Sequence, residues 1–72
     1  MTDAPSLTVS VNGDPRAIAA GTTLETLVAT LTAASSGVAA AVNETVVPRS
    51  RWSAAALADG DRIEVLTAVQ GG

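Results

Sequence analysis

An α+β fold, with one helix laid across a mixed sheet of four to five strands, is predicted by three observations. Alternation of apolar and polar residues opens and closes the chain, at Leu7-Thr8-Val9-Ser10-Val11-Asn12 and from Arg62 to Thr67. Between them lies one apolar stripe at helical spacing, Leu24, Leu27, Val28 and Leu31. Short apolar runs bounded by turn residues, Val38 to Val42 and Val46-Val47, supply the remaining strands. A lone helix with one apolar stripe must cover one face of that sheet, which is the α+β layout.

Each element follows in order. Leu7, Val9 and Val11 share the buried face of the first strand. Asn12-Gly13 tolerates the positive φ of a tight hairpin turn. A second strand then runs from about Arg16 to Ala19 with Ile18 inward, and Pro15 stands at its entrance, where a missing N–H does little harm. Gly21 ends that strand. Thr22-Thr23-Leu24-Glu25 has the spacing of a capping box, with Thr22 as N-cap and Glu25 reaching back from N3. The helix starts there and its stripe ends near Thr32. After a Ser35-Ser36-Gly37 loop, the strand from Val38 to Val42 turns Val38, Ala40 and Val42 one way and Ala39 and Ala41 the other. Asn43-Glu44-Thr45 is a turn, Val46-Val47 a short strand, and Pro48 ends the ladder. Arg49 to Ala58 is irregular or a short helical turn, pinned by Trp52 and Leu57. Asp59-Gly60-Asp61 leads into the last strand, with Ile63, Val65 and Thr67 on one face and Arg62, Glu64 and Leu66 on the other. The first and last strands are expected to pair in parallel, because the units between them provide the crossover. The expected division is a folded domain over 1–67 and a flexible tail over 68–72.

Composition limits the chemistry. Seventy-two residues make one domain, and a single Trp leaves a small core of Val, Leu, Ile and Ala. Without Cys or His there is no thiolate nucleophile, imidazole base, disulfide or soft metal ligand. Four Arg, no Lys and seven acidic residues give a net charge of −3, the opposite of a nucleic-acid-binding footprint. The start, Met1-Thr2-Asp3-Ala4-Pro5, is acidic and unlike a signal peptide. The longest apolar run, Val38 to Val42, is far short of the roughly 18 residues a membrane span needs. A soluble cytoplasmic domain, bound to neither nucleic acid nor membrane, is the expectation.

Few side chains offer a site. Asp59 and Asp61 flank a glycine, but two carboxylates fall well short of a calcium loop and read as a turn. Asp14 near Arg16 and Glu64 near Arg62 read as solvated surface charges. No serine has a base beside it, so no catalytic role is expected and the chain is read as a non-enzyme. Trp52 reads first as an anchor for an irregular stretch and second as a contact residue. Arg49 and Arg51 put two cations on one loop, suited either to a partner's acidic patch or to solvent. The informative feature is the C-terminus. Gly71 and Gly72 have no Cβ, so the terminal peptide can thread a narrow channel. The carboxylate they present becomes an acyl donor once another enzyme adenylates it.

Several stretches carry a resemblance to a known family. They are Val11-Asn12-Gly13, Gly21-Thr22-Thr23-Leu24, Ala41-Val42-Asn43, Val46-Val47-Pro48-Arg49-Ser50 followed by Trp52, and Leu57-Ala58-Asp59-Gly60-Asp61-Arg62, with Gly71-Gly72 at the end. From Leu7 to Gly72 the chain resembles the ThiS family, the ubiquitin-like sulfur carriers of thiamine biosynthesis. The Val-Pro-Arg segment with its nearby Trp is the most specific part. The related small subunit of molybdopterin synthase usually lacks it and tends to be longer and richer in Phe.

The resemblance implies a β-grasp fold and a carrier cycle. An E1-like adenylyltransferase adenylates the Gly72 carboxylate with ATP and magnesium, both belonging to that partner, so the chain itself is assigned no cofactor. Sulfur from a cysteine desulfurase route converts the carboxylate to a thiocarboxylate, and thiazole synthase takes the sulfur for the thiazole of thiamine. Gly71, Gln70, Val69 and Ala68 become the tether. Leu66, beside Ala39 and Ala41 on the outer face, together with Arg49, becomes the expected partner interface. An activated terminus acylates nearby amines, and apart from the α-amine this chain has none. Two alternatives stay open: a carrier feeding molybdopterin, tungsten-cofactor or cysteine synthesis, and a β-grasp interaction module whose tail is inert.

Overall fold

The computed structural model describes residues 6–33 and 37–67. Its elements are β1 (Ser6–Val11), β2 (Asp14–Ala19), α1 (Leu24–Leu31), β3 (Val38–Val42), β4 (Thr45–Val47), a 3₁₀ helix at Arg49–Ala54, and β5 (Arg62–Thr67). The five strands form one sheet in the order β2-β1-β5-β3-β4. β1 and β5 pair in parallel through Ser10–Arg62 and Val11–Ile63, as the crossover argument expects. The other three neighbouring pairs are antiparallel.

Strand alternation sets the core. Val9 and Val11 of β1, Ala40 of β3, and Ile63 and Val65 of β5 are buried with Leu24, Leu27 and Val28 of α1. Trp52 and Leu57 close the remaining side, and Ile18, Leu31, Val38, Val42 and Val47 pack against the cluster. Thr67 shares the inward register of β5 but is exposed at the strand's end. No helix among the described residues is long and apolar enough to cross a membrane.

Three local expectations shift. β2 begins at Asp14 rather than Arg16, with Pro15 inside it. Ser10, opposite Pro15, donates its N–H to the Asp61 carbonyl on the β5 side. The pair is therefore a non-hydrogen-bonded one, and the missing N–H of Pro15 falls on the open edge of the sheet. The helix cap moves one residue on. Thr23 is the N-cap and its hydroxyl accepts from the Thr26 N–H at 3.3 Å, whereas Thr22 donates its hydroxyl to the Ala19 carbonyl at 2.6 Å. A bridge between Thr23 and Ala56 keeps this stretch extended, with Leu24 N–H bound to Ala55 and Leu57 N–H to Thr22. Glu25 consequently falls at N2, out of place for a capping box, though its charge still suits the helix N-terminus.

The third shift concerns the β3–β4 hairpin, whose turn holds two residues, Asn43 and Glu44, with Thr45 already in β4. Both turn residues have positive φ, 52° and 72°. The β1–β2 turn has the same form, with Asn12 at 50° and Gly13 at 90°. Where the first hairpin places a glycine, the second places a glutamate, and a side chain in the left-handed region costs about 1 kcal/mol or more. Glu44→Gly is expected to raise the unfolding free energy by about 0.5–1 kcal/mol, after allowance for the greater freedom of glycine in the unfolded chain. Urea titration at unchanged m-value would register it.

Candidate functional site

The helix covers one face of the sheet and leaves the other open. On that outer face, the pleat brings Leu66 of β5 opposite Ala39 of β3, Glu64 opposite Ala41, and Ala41 opposite Val46 of β4. The alanines make a low floor between two taller side chains, Val46 and Leu66, which are 71% and 69% exposed. The result is a shallow depression of about 260 Å³ with Glu44 and Glu64 on its rim. An apolar hollow of this kind on a small chain has the form of a contact surface.

β5 forms the spine of the site, and two asparagines hold it. β1 ends at Val11, so Val65 has no strand neighbour on that side. The Asn12 side chain takes that place, accepting from the Val65 N–H at 2.9 Å and donating to the Val65 carbonyl at 3.2 Å. At the other end of β5, Asn43 accepts from the Arg62 N–H at 3.0 Å and donates its own N–H to the Arg62 carbonyl at 2.7 Å. Its amide also donates to Asp61 Oδ1 at 3.0 Å. Both asparagines sit in the left-handed conformation that their side chains tolerate.

The Asp59-Gly60-Asp61 turn is structural. Asp59 Oδ1 accepts from the Thr8 N–H and Asp61 Oδ2 from the Ala58 N–H, each at 2.8 Å. These carboxylates fasten the start of β5 to β1 and to the preceding loop. Among the described residues, no group of three or more His, Cys, Asp or Glu is placed to hold a metal ion. Arg62 reaches Glu44 at 3.4 Å, and not its chain neighbour Glu64, in an exposed pair that contributes little to stability.

The structure thus brings Leu66, Ala39 and Ala41 together, as strand alternation expects, and it adds Val46 to them. It does not bring Arg49. The Arg49 guanidinium lies 5.2 Å from the centroid of the Trp52 ring, in a groove shared with Glu25, Val28 and Ala29 of α1. Stacking on an aromatic face holds it on the helix side, away from the open face. Arg51 lies in a neighbouring groove with Val46, Val47 and Pro48, and Arg62 is the cation that reaches the rim, at Glu44. Trp52 is the anchor that its place in an irregular stretch suggests: it is 4% exposed and its indole N–H donates to the Val47 carbonyl at 2.8 Å. Ala68, Val69, Gln70, Gly71 and Gly72 lie outside the described residues.

Known proteins resemble the chain in both sequence and shape. The model of the ThiS family matches residues 9–72. The sulfur carrier protein ThiS of Escherichia coli K12 is 37% identical over 54 residues, which cover 75% of this chain and 82% of that one. A crystal structure of the thiamine biosynthesis protein ThiS from Geobacter metallireducens superposes with a TM-score of 0.74 at 29% identity, covering 92% of this chain and all of that one. That likeness identifies the sheet and helix described above as a β-grasp fold.

Proposed function

The chain belongs to the ThiS family, and from that premise we propose that it is a sulfur carrier of thiamine biosynthesis whose working group is the carboxylate of Gly72. Residues 1–67 form the body that partners recognise, and 68–72 form the tether. The observation that carries the reading is continuity: β5, whose Leu66 walls the apolar depression, ends one residue later at Thr67 and passes directly into the five residues closing on Gly71-Gly72. A docked face and a reacting end are thereby joined by a short leash.

The chemistry follows from a carboxylate's poor reactivity. Its oxygen attacks the α-phosphate of ATP at an E1-like adenylyltransferase, where magnesium is also used, and pyrophosphate leaves. The mixed anhydride is then open to a sulfur nucleophile. A persulfide sulfur from a cysteine desulfurase route attacks the Gly72 carbonyl, AMP departs, and thiol attack on the resulting acyl disulfide leaves the thiocarboxylate. Thiazole synthase takes that sulfur and the carboxylate is restored. The chain supplies no acid or base to these steps. It supplies a sterically open terminus, since glycines at 71 and 72 place no Cβ beside the reacting carbonyl, and a surface that brings that terminus into successive active sites.

Intact-mass measurement tests the pathway. Incubated with ATP, a sulfur source and the adenylyltransferase of thiamine synthesis, the chain should gain the mass difference between sulfur and oxygen. A gain with the molybdopterin-activating enzyme alone would overturn the thiamine assignment. No gain with either would favour an interaction module with an inert tail.

A further inference from the structure

We propose that Glu44 and Glu64 select the partner at this face: the enzyme that receives Gly72 carries arginine or lysine side chains around an apolar centre, set against the rim of the depression. The inference rests on the carrier reading of the tail and deepens it. Five residues separate Thr67 from the end of the chain, and fully extended they reach at most about 17 Å. An enzyme that holds the Gly72 carboxylate in its active site must therefore lie over the surface where β5 ends, at Leu66, and a footprint of ordinary interface size running back along β5 from there covers Glu64 and Val46 and then Glu44, beside Arg62 at the start of the strand.

The rim is acidic. The Glu64 side chain makes no hydrogen bond or ion pair among the described residues, and Glu44 meets Arg62 at 3.4 Å with both side chains largely in water, 75% and 63% exposed. Two carboxylates against one guanidinium so solvated leave the rim net negative, within a chain of net charge −3. The exposed pair with Arg62 is the one local contact the acid at position 44 makes among the described residues, and it contributes little to stability. The Glu44 φ of 72° suits glycine, which stands at the matching place of the β1–β2 turn. An apolar centre that excludes water, edged by carboxylates, complements a partner with an apolar contact and cationic edges.

Steady-state activation of the full-length chain by the adenylyltransferase, followed as pyrophosphate release, tests this at low and moderate salt. The KM of the unaltered chain should rise with salt. In the double variant Glu44→Gln with Glu64→Gln, KM at low salt should rise about tenfold with kcat unchanged, and most of the salt dependence should vanish. Asp14→Asn, the same change of net charge as either rim substitution made singly but on the far edge strand β2, should leave KM alone. Glu44→Gly should unfold at a higher temperature and yet show a raised KM, which separates lost recognition from lost folding. A KM that ignores the rim substitutions, or rises equally with Asp14→Asn, overturns this inference alone. An unaltered chain that is never activated overturns the carrier reading and this inference together.

Discussion

One alanine appended after Gly72 is expected to abolish ATP-dependent activation while leaving the fold untouched. The reacting group is the terminal carboxylate, and the extension converts it to an amide carbonyl and carries a new carboxylate one residue farther out, about 3.5 Å. A misplacement of about 1 Å from the productive geometry can lower a rate on the order of a hundredfold, so a full residue should leave no measurable turnover. The added methyl also narrows an approach that two glycines keep clear. Pyrophosphate exchange and intact mass would report the loss. Circular dichroism and thermal unfolding should match the unaltered chain, because residues 9–65 supply every buried apolar side chain described. Activation at the ordinary rate would overturn the carrier reading, since a module with an inert tail is indifferent to its length.

The apolar face illustrates what is legible in a sequence of this kind. Leu66, Ala39 and Ala41 were accessible because a strand has period two: once Ile63 and Val65 face inward, Leu66 must face out. Val46 required knowledge of the hairpin. A three-residue turn over 43–45 leaves the pairing of 46 undefined, whereas the observed two-residue turn at Asn43-Glu44 puts Val46 across from Ala41. The signal was the asparagine, which tolerates the left-handed conformation and stands just after an apolar run, as Asn12 does. The side of the domain that Arg49 occupies is illegible for a different reason: a 3₁₀ helix next to a buried tryptophan has no sequence period that tells where an arginine will lie, and the Trp52 ring decides it. The cap falls on Thr23 and not Thr22 although the two offer equal side chains, and the Thr23–Ala56 bridge, a contact across 33 positions, makes the choice between them. The roles of Asn12 and Asn43 as clamps on β5 depend equally on distant pairing. The expectation of a reactive tail rests on its chemistry alone, because no periodicity marks a terminus.

Trp52→Ala is expected to be the most damaging single substitution in the folded body, and its effect should reach the docking face. Removing a buried Trp side chain costs about 3–5 kcal/mol, against a total stability of about 4–11 kcal/mol for a chain of this length. Three attachments are lost at once. The indole no longer fills the core beside Leu24, Leu27 and Val28; its N–H no longer holds the Val47 carbonyl; and Arg49 loses the ring beneath it. The second loss bears on function. β4 has three residues and, among the described strands, pairs with β3 alone, so the indole-to-carbonyl bond at Val47 is a second attachment for it. Releasing it loosens Val46, one wall of the apolar depression. Hydrogen exchange should show protection falling first in β4 and the 3₁₀ helix, with β1 and β5 retaining theirs until global unfolding. Trp52→Phe keeps much of the ring volume and removes only the donor, so it should cost about 1–2 kcal/mol and leave the chain folded. For that variant, KM for activation should rise while kcat holds, since the tail and its carboxylate are unaltered. A Trp52→Phe chain that loosens β4 in exchange yet docks with an unchanged KM would show that Val46 is not part of the recognised surface.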